Sequence, residues 1–167
     1  MSRHCGAALR YDLAMTESSK FLQYPTPASK VTVYQVPVCF GDCDPAGIVF
    51  FPNFCRWMDA SSLHFFMQCG VRPWRELEVS RGIVGTPLLE INTKFYKAVT
   101  YGQTIDIHTC VVDWRGKAFI QRHQIFLNSE LMCEGLETRV FTIRPDPAKH
   151  QMKAIAVPDD IKALCCE

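Results

Sequence analysis

The sequence predicts an α+β domain in which one long central helix is wrapped by a curved antiparallel β-sheet of about five strands. The segment from Pro52 to Gly70 carries apolar side chains nearly all round a helical repeat, and such a helix has to be enclosed. No other long helical pattern exists to enclose it. The second half of the chain is a series of segments with period-two alternation joined by short loops, which is the pattern of an antiparallel sheet.

Residues 1–29 mix Ser, Thr and Pro with scattered charges and show no sustained period, so they read as a flexible N-terminal tail before a single domain at 30–167. Asp12 and Glu17 break any apolar core of signal-peptide length, and Met15 offers an alternative start. Val31–Val38 is β-branched and reads as a strand, with Pro37 marking an edge or a bulge. Gly41-Asp-Cys-Asp-Pro-Ala-Gly47 is a loop, because it packs two Gly, two Asp and one Pro together. Pro52 suits the first turn of the helix and Gly70 its end. Phe54, Trp57, Met58, Ser61 and Phe65 share one face, and Leu63, Phe66 and Met67 take the other.

Four strands follow. Leu89, Ile91, Thr93 and Phe95 alternate with Glu90, Asn92, Lys94 and Tyr96, and Thr104–Val112, Ala118–Leu127 and Leu131–Ile143 continue the series. The apolar parity of the last strand shifts around Gly135, where a bulge is expected. The open edges of so small a sheet favour pairing with a second copy, so a homo-oligomer is expected.

Composition narrows the function. A length of 167 residues is enough for one self-sufficient core, and an apolar fraction of 48% is that of a globular protein. A formal net charge of +1 leaves no basic excess for nucleic acid. No charge-free apolar stretch is long enough to span a membrane. The nine cysteines are odd in number and lie mostly in apolar runs, so the expectation is a reduced, cytoplasmic protein. Cys39 and Cys43 have no second Cys or His pair at ligand spacing, so no metal site is expected.

The loop before the helix carries the chemistry. Asp42 and Asp44 stand two apart and would point the same way from an extended segment, and Pro45 biases Asp44 toward that geometry. The free amides of a helix start come next, where partial positive charge accumulates. A carboxylate facing a carbonyl that rests on those amides suits acyl transfer, although both acids also suit turn or helix caps. Asp59 is the only acid on an otherwise apolar helix and needs a partner or a cavity; Arg56 at i−3 is the expected partner. His64, His108 and His123 have no Ser or Cys nucleophile turn beside them and read as structural. Arg115 and Lys117 in a tight turn form either a solvated hairpin or a phosphate clamp.

Phe40-Gly-Asp-Cys-Asp-Pro-Ala-Gly-Ile-Val-Phe-Phe-Pro-Asn-Phe54, followed by Arg56-Trp-Met-Asp-Ala60, resembles the 4-hydroxybenzoyl-CoA thioesterase family of hot-dog folds. The likeness continues through Cys69-Gly70, Pro73-Trp-Arg75, Arg81-Gly-Ile-Val-Gly-Thr-Pro87, Trp114-Arg115 and Gln121-Arg-His123, and spans about Val33 to Leu164. The resemblance implies that Asp44 is the catalytic carboxylate, attacking the thioester carbonyl or directing water to it. It implies that the Phe51 backbone N–H polarises the carbonyl oxygen, at a position where the family often has Tyr. It places Asp59, Trp74 and Thr86 along the acyl pocket, and Arg115, Lys117 and Lys153 on coenzyme A. Gly116 and Ala118 depart from the family's basic and hydroxyl residues there. No cofactor is implied, because coenzyme A is part of the substrate. The implied activity is hydrolysis of an aromatic acyl-CoA, 4-hydroxybenzoyl-CoA or a close analogue, by a dimer or tetramer of hot-dogs. The alternatives are another aryl or short-chain acyl-CoA, a hot-dog dehydratase (which would want a His beside the Asp44 loop), or a non-catalytic acyl-CoA-binding module.

Overall fold

The computed structural model describes residues 26–146, 148–149 and 151–166. A five-stranded antiparallel sheet is built from β1 (Thr32–Pro37), β3 (Leu88–Phe95), β4 (Thr104–Arg115), β5 (Ala118–Leu127) and β6 (Glu130–Val140), in the order β1-β4-β5-β6-β3. A smaller sheet joins β2 (Ile83–Gly85), β7 (Thr142–Ile143) and β8 (Lys153–Ala154) in the order β2-β7-β8. The helices are α1 (Pro52–Gln68), α2 (Trp74–Arg81) and α3 (Asp159–Cys166). The hot-dog arrangement expected from the sequence is present, with α1 packed on the five-stranded sheet against β1, β4 and β5. Pro37 ends an edge strand, where a missing N–H costs no ladder bond.

Residues 1–25 of the expected tail lie outside the described residues. At 28–30 the backbone is bound to the domain: Ala28 N–H donates to Val111 O at 2.8 Å and Lys30 N–H to Cys165 O at 2.8 Å. The single strand expected over 131–143 is broken at Phe141 into β6 and β7, and β7 leaves for the smaller sheet.

The core has three apolar parts, and a polar seam lies between the two larger ones. Phe54, Trp57 and Met58 of α1 pack with Val36, Ile105 and Ile125, and Phe65 and Phe66 pack with Phe119, Phe141 and Ile161. Full burial of one such aromatic ring contributes about 1.5–3 kcal/mol. Between these two parts Ser61, Ser62, Thr109, Gln121 and His123 are buried, and hydrogen bonds join them. Leu63 and Met67 are 42% and 48% exposed, so the helix that looks apolar all round leaves one stripe uncovered in a single chain.

Gly135 is not a bulge. It pairs in regular register with Thr93 and His123, and the irregularity of the β5–β6 ladder lies instead between Ile125 and Phe126. Glycine is favoured there because a Cβ would stand 2.5 Å from Met58 Sδ and 2.8 Å from Met58 Cε, where α1 approaches the sheet, so that Met58 would have to shift. Met58 is itself fully buried and has little room to yield. Gly135→Ala is therefore expected to destabilise the fold by about 1–3 kcal/mol, read as a lower urea midpoint at unchanged m-value.

Candidate active site

The 40–51 segment folds back on itself immediately before α1. Phe40–Asp42 forms a short 3₁₀ turn, and a bridge between Cys43 and Val49 closes the loop. Asp44 N–H donates to Ile48 O at 2.8 Å and Gly47 N–H to Asp44 O at 2.9 Å, with Gly47 at a φ of +78° that favours glycine. The two acids separate here, contrary to the extended-segment expectation, because Asp42 lies in the 3₁₀ turn. Its carboxylate accepts Cys39 N–H at 2.9 Å and Arg56 Nη2 at 2.8 Å, so it is spent on the loop. Asp44 accepts only the Ala46 N–H, at 2.8 Å on Oδ1, and its second oxygen is unclaimed among the described residues.

Phe51 is the N-cap of the 17-residue α1, with Pro52 at the first helical position. Phe50, Asn53 and Phe54 amides are all bonded, to Asp42 O, Phe50 O and Phe51 O respectively. Pro52 has no N–H, and among the described residues the Phe51 N–H has no acceptor. It is an uncommitted donor at the positive end of a long helix. A cleft of about 280 Å³ opens beside it, walled by Ile48, Val49, Phe51, Phe54, Phe95 and Val99. Asp44 stands on the same hairpin whose return segment, Ile48–Val49, forms one wall.

Asp59 does not pair with Arg56, and it is not buried. Arg56 reaches back to Asp42, whereas the 71% exposed Asp59 carboxylate accepts Arg139 Nη2 at 2.7 Å. Arg139 also donates Nη1 to Thr86 O at 3.1 Å and Nε to Glu137 Oε2 at 2.7 Å. Trp74 packs its ring on Phe66 with centroids 5.2 Å apart and lies against Gly85, next to Thr86. The structure thus brings Asp59, Trp74 and Thr86 into one neighbourhood and Asp44 and Phe51 into another. No hydrogen bond, ion pair or ring contact joins the two among the described residues.

Arg115 and Lys117 flank Gly116 in the two-residue turn between β4 and β5, and Gly116 at φ +29° explains glycine in place of a basic residue. Phe141 N–H donates to Lys117 O and Val157 N–H to Gly116 O, which sets this turn against the segment that carries Lys153 in β8. All three basic side chains are exposed at this corner. Arg115 Nε also bonds Asp113 Oδ2 at 2.7 Å.

Sequence reasoning missed the buried network behind Arg139. His123 Nε2 lies 3.1 Å from Glu137 Oε2, and its Nδ1 lies 2.8 Å from Thr109 Oγ1. Burial raises the Glu137 carboxyl, but His123 and Arg139 outweigh it and hold the pKa down to about 2. His64 meets Val33 O at 3.2 Å, and His108 stacks edge-on with Phe126, as structural histidines do. The one sequence sign of the network was the set of polar residues at inward positions of β4, β5 and β6.

One long helix on a curved antiparallel sheet, with a carboxylate and a free amide at its N-terminus, is the architecture of a hot-dog thioester hydrolase. The model of the thioesterase-like superfamily matches residues 38–164, and the chain belongs to that superfamily. The chain is 42% identical over 143 residues to 4-hydroxybenzoyl-CoA thioesterase of Pseudomonas sp. (strain CBS-3), covering 83% of this chain and 99% of that one. A crystal structure of a mutant 4-hydroxybenzoyl-CoA thioesterase complexed with 4-hydroxybenzoyl-CoA superposes with a TM-score of 0.78 at 39% identity, over 82% of this chain and 99% of that one. A gentisyl-coenzyme A thioesterase superposes with a TM-score of 0.67 at 30% identity, over 80% of this chain and 98% of that one.

Proposed function

We propose that this protein hydrolyses an aromatic acyl-CoA thioester, 4-hydroxybenzoyl-CoA or a close analogue, to the free acid and coenzyme A. One observation carries the chemistry: the uncommitted Phe51 N–H at the start of α1, on the segment that also holds the half-free Asp44 carboxylate. The thioester oxygen accepts from Phe51 N–H, and the helix dipole favours the negative charge that develops on it. The free Asp44 oxygen then bonds to the acyl carbon while the C–S bond breaks, and water hydrolyses the resulting anhydride; alternatively, Asp44 takes a proton from a water that attacks directly. In both routes one water is consumed and the sulfur leaves with a proton as the thiol. Asp59 and Trp74 form the aromatic acyl end, and Arg115, Lys117 and Lys153 hold the phosphates of coenzyme A. The sequence match to the 4-hydroxybenzoyl-CoA enzyme supports this choice of acyl group.

The assembly belongs to the same proposal. β3 is an outer strand of the five-stranded sheet and exposes Leu88 and Leu89 at 44% and 63%, an edge that invites pairing with a second copy. The uncovered Leu63 and Met67 on α1 favour the same pairing. Across such a pair, one chain's Asp59 and Trp74 are proposed to meet the other chain's Asp44, and pairs of such dimers are proposed to make a homotetramer. A cytoplasmic setting fits the eight described cysteines, all of which are free.

The test is a panel of aryl-CoA and alkyl-CoA esters followed by release of free thiol. The highest kcat/KM is expected for 4-hydroxybenzoyl-CoA. A short alkyl ester at the top of the panel replaces this acyl assignment, and binding without thiol release from any member replaces the enzyme with a binding module.

A further inference from the structure

A carboxylate that is 71% exposed on a helix surface ordinarily samples several rotamers, and its acceptor lone pairs point in no fixed direction. Asp59 is different because its Oδ1 is clamped by a guanidinium that is itself 5% exposed. Arg139 spends three of its five N–H donors on three acceptors in different elements: Glu137 on β6, the main-chain oxygen of Thr86, and Asp59 on α1. The plane of the guanidinium is therefore determined. Its position is backed from behind, since Glu137 also holds His123, His123 holds Thr109, and Thr109 Oγ1 lies 2.6 Å from Ser61 Oγ.

The chain of bonds closes on itself. It leaves α1 at Asp59, crosses the sheet through Arg139, Glu137, His123 and Thr109, and returns to α1 at Ser61, two residues on. Burying a guanidinium and a carboxylate for stability alone is a poor exchange, because well-packed apolar residues of the same volume do at least as well. What the ring supplies is direction. Asp59 Oδ2 has no partner among the described residues, and with Oδ1 anchored it faces outward as an oriented acceptor.

We infer that Arg139 is a positioning residue that sets acyl-group specificity by orienting Asp59 toward a hydroxyl donor on the substrate ring. This rests on the aromatic acyl-CoA reading proposed above. Lys cannot replace the fork, since a single ammonium on a flexible stem does not reach three divergent acceptors in one geometry. Benzoyl-CoA differs from 4-hydroxybenzoyl-CoA only in lacking the hydroxyl, so it reports the interaction directly.

The test compares kcat/KM for these two esters in wild type, Arg139→Lys, Asp59→Asn and the double variant. Wild type is expected to prefer the hydroxylated ester. The preference ratio is expected to fall about 10-fold or more in Arg139→Lys and in Asp59→Asn, with no further fall in the double variant. A merely structural role for Arg139 lowers both esters alike and leaves the ratio where it was, which overturns the inference. Should Arg139→Lys fail to fold, the surface variant Asp59→Asn decides: a wild-type ratio there overturns the inference as well. A wild-type enzyme without preference for the hydroxyl refutes the substrate reading and takes this inference with it, whereas a preference that survives Arg139→Lys refutes the role of Arg139 alone.

Discussion

Asp44→Asn is expected to bind acyl-CoA with near wild-type affinity and to turn it over slower by a factor on the order of 10² or more. The geometry divides the labour in a way that makes this outcome specific. In the proposed mechanism the carbonyl oxygen rests on the Phe51 N–H, a main-chain group at the start of α1 that the substitution does not touch, so ground-state binding and polarisation are expected to survive. The Asn oxygen can still accept the Ala46 N–H that now reaches Asp44 Oδ1 at 2.8 Å, so the loop keeps its shape. What disappears is the second, unclaimed carboxylate oxygen, which the proposed mechanism uses as nucleophile or base. Asp42→Asn is the control: its carboxylate is committed to Cys39 N–H and Arg56, so its loss is read in loop stability rather than in chemistry. Steady-state kcat together with calorimetric binding of the ester separates the two. Near-normal kcat in Asp44→Asn would falsify the assignment, and a larger loss in Asp42→Asn would transfer the role to the other acid.

The division between the two acids shows where sequence reading stops. Their spacing and the nearby helix start were visible in the chain, and so were α1 and the five long strands, because all of these are local patterns of period or turn chemistry. Which acid is free depends on the 3₁₀ turn at Phe40–Asp42 and on Arg56, fourteen residues away, reaching back to it. Arg56 and Asp59 at i, i+3 satisfied the local rule, yet the partner of Asp59 stands eighty residues on, at Arg139. Gly135 misled for a similar reason. A strand glycine reads as a bulge from its own neighbours, and the need for it comes from Met58 arriving across the core. The short elements α2, β2, β7, β8 and α3 exist through tertiary contact: three of them are paired strands of two or three residues, below the length at which a period can be read.

Glu137→Gln is expected to cost about 3–5 kcal/mol of folding stability at neutral pH, because it removes one member of a buried ion pair and leaves Arg139 without its inner counter-charge. The carboxylate side chain is 1% exposed and takes hydrogen bonds from both Arg139 and the His123 side, so solvent cannot replace the lost charge. The same group predicts the sign of the acid response. The Glu137 pKa is lowered from 4.5 to about 2 in the folded protein, so the folded state holds the carboxylate ionised where the unfolded chain has taken up a proton. Its contribution is complete above about pH 4.5 and is lost as pH falls from there toward 2, the unfolded state binding more protons throughout that window. Wild type is therefore expected to lose stability steeply between these limits, and Glu137→Gln, which has nothing to titrate at this position, to lose less. Urea unfolding at a series of pH values measures both, and the gap between the two proteins should narrow as the solution is acidified. Parallel curves would mean that the Glu137 charge is not what holds Arg139 in the sheet, and the ring that orients Asp59 would then need another anchor.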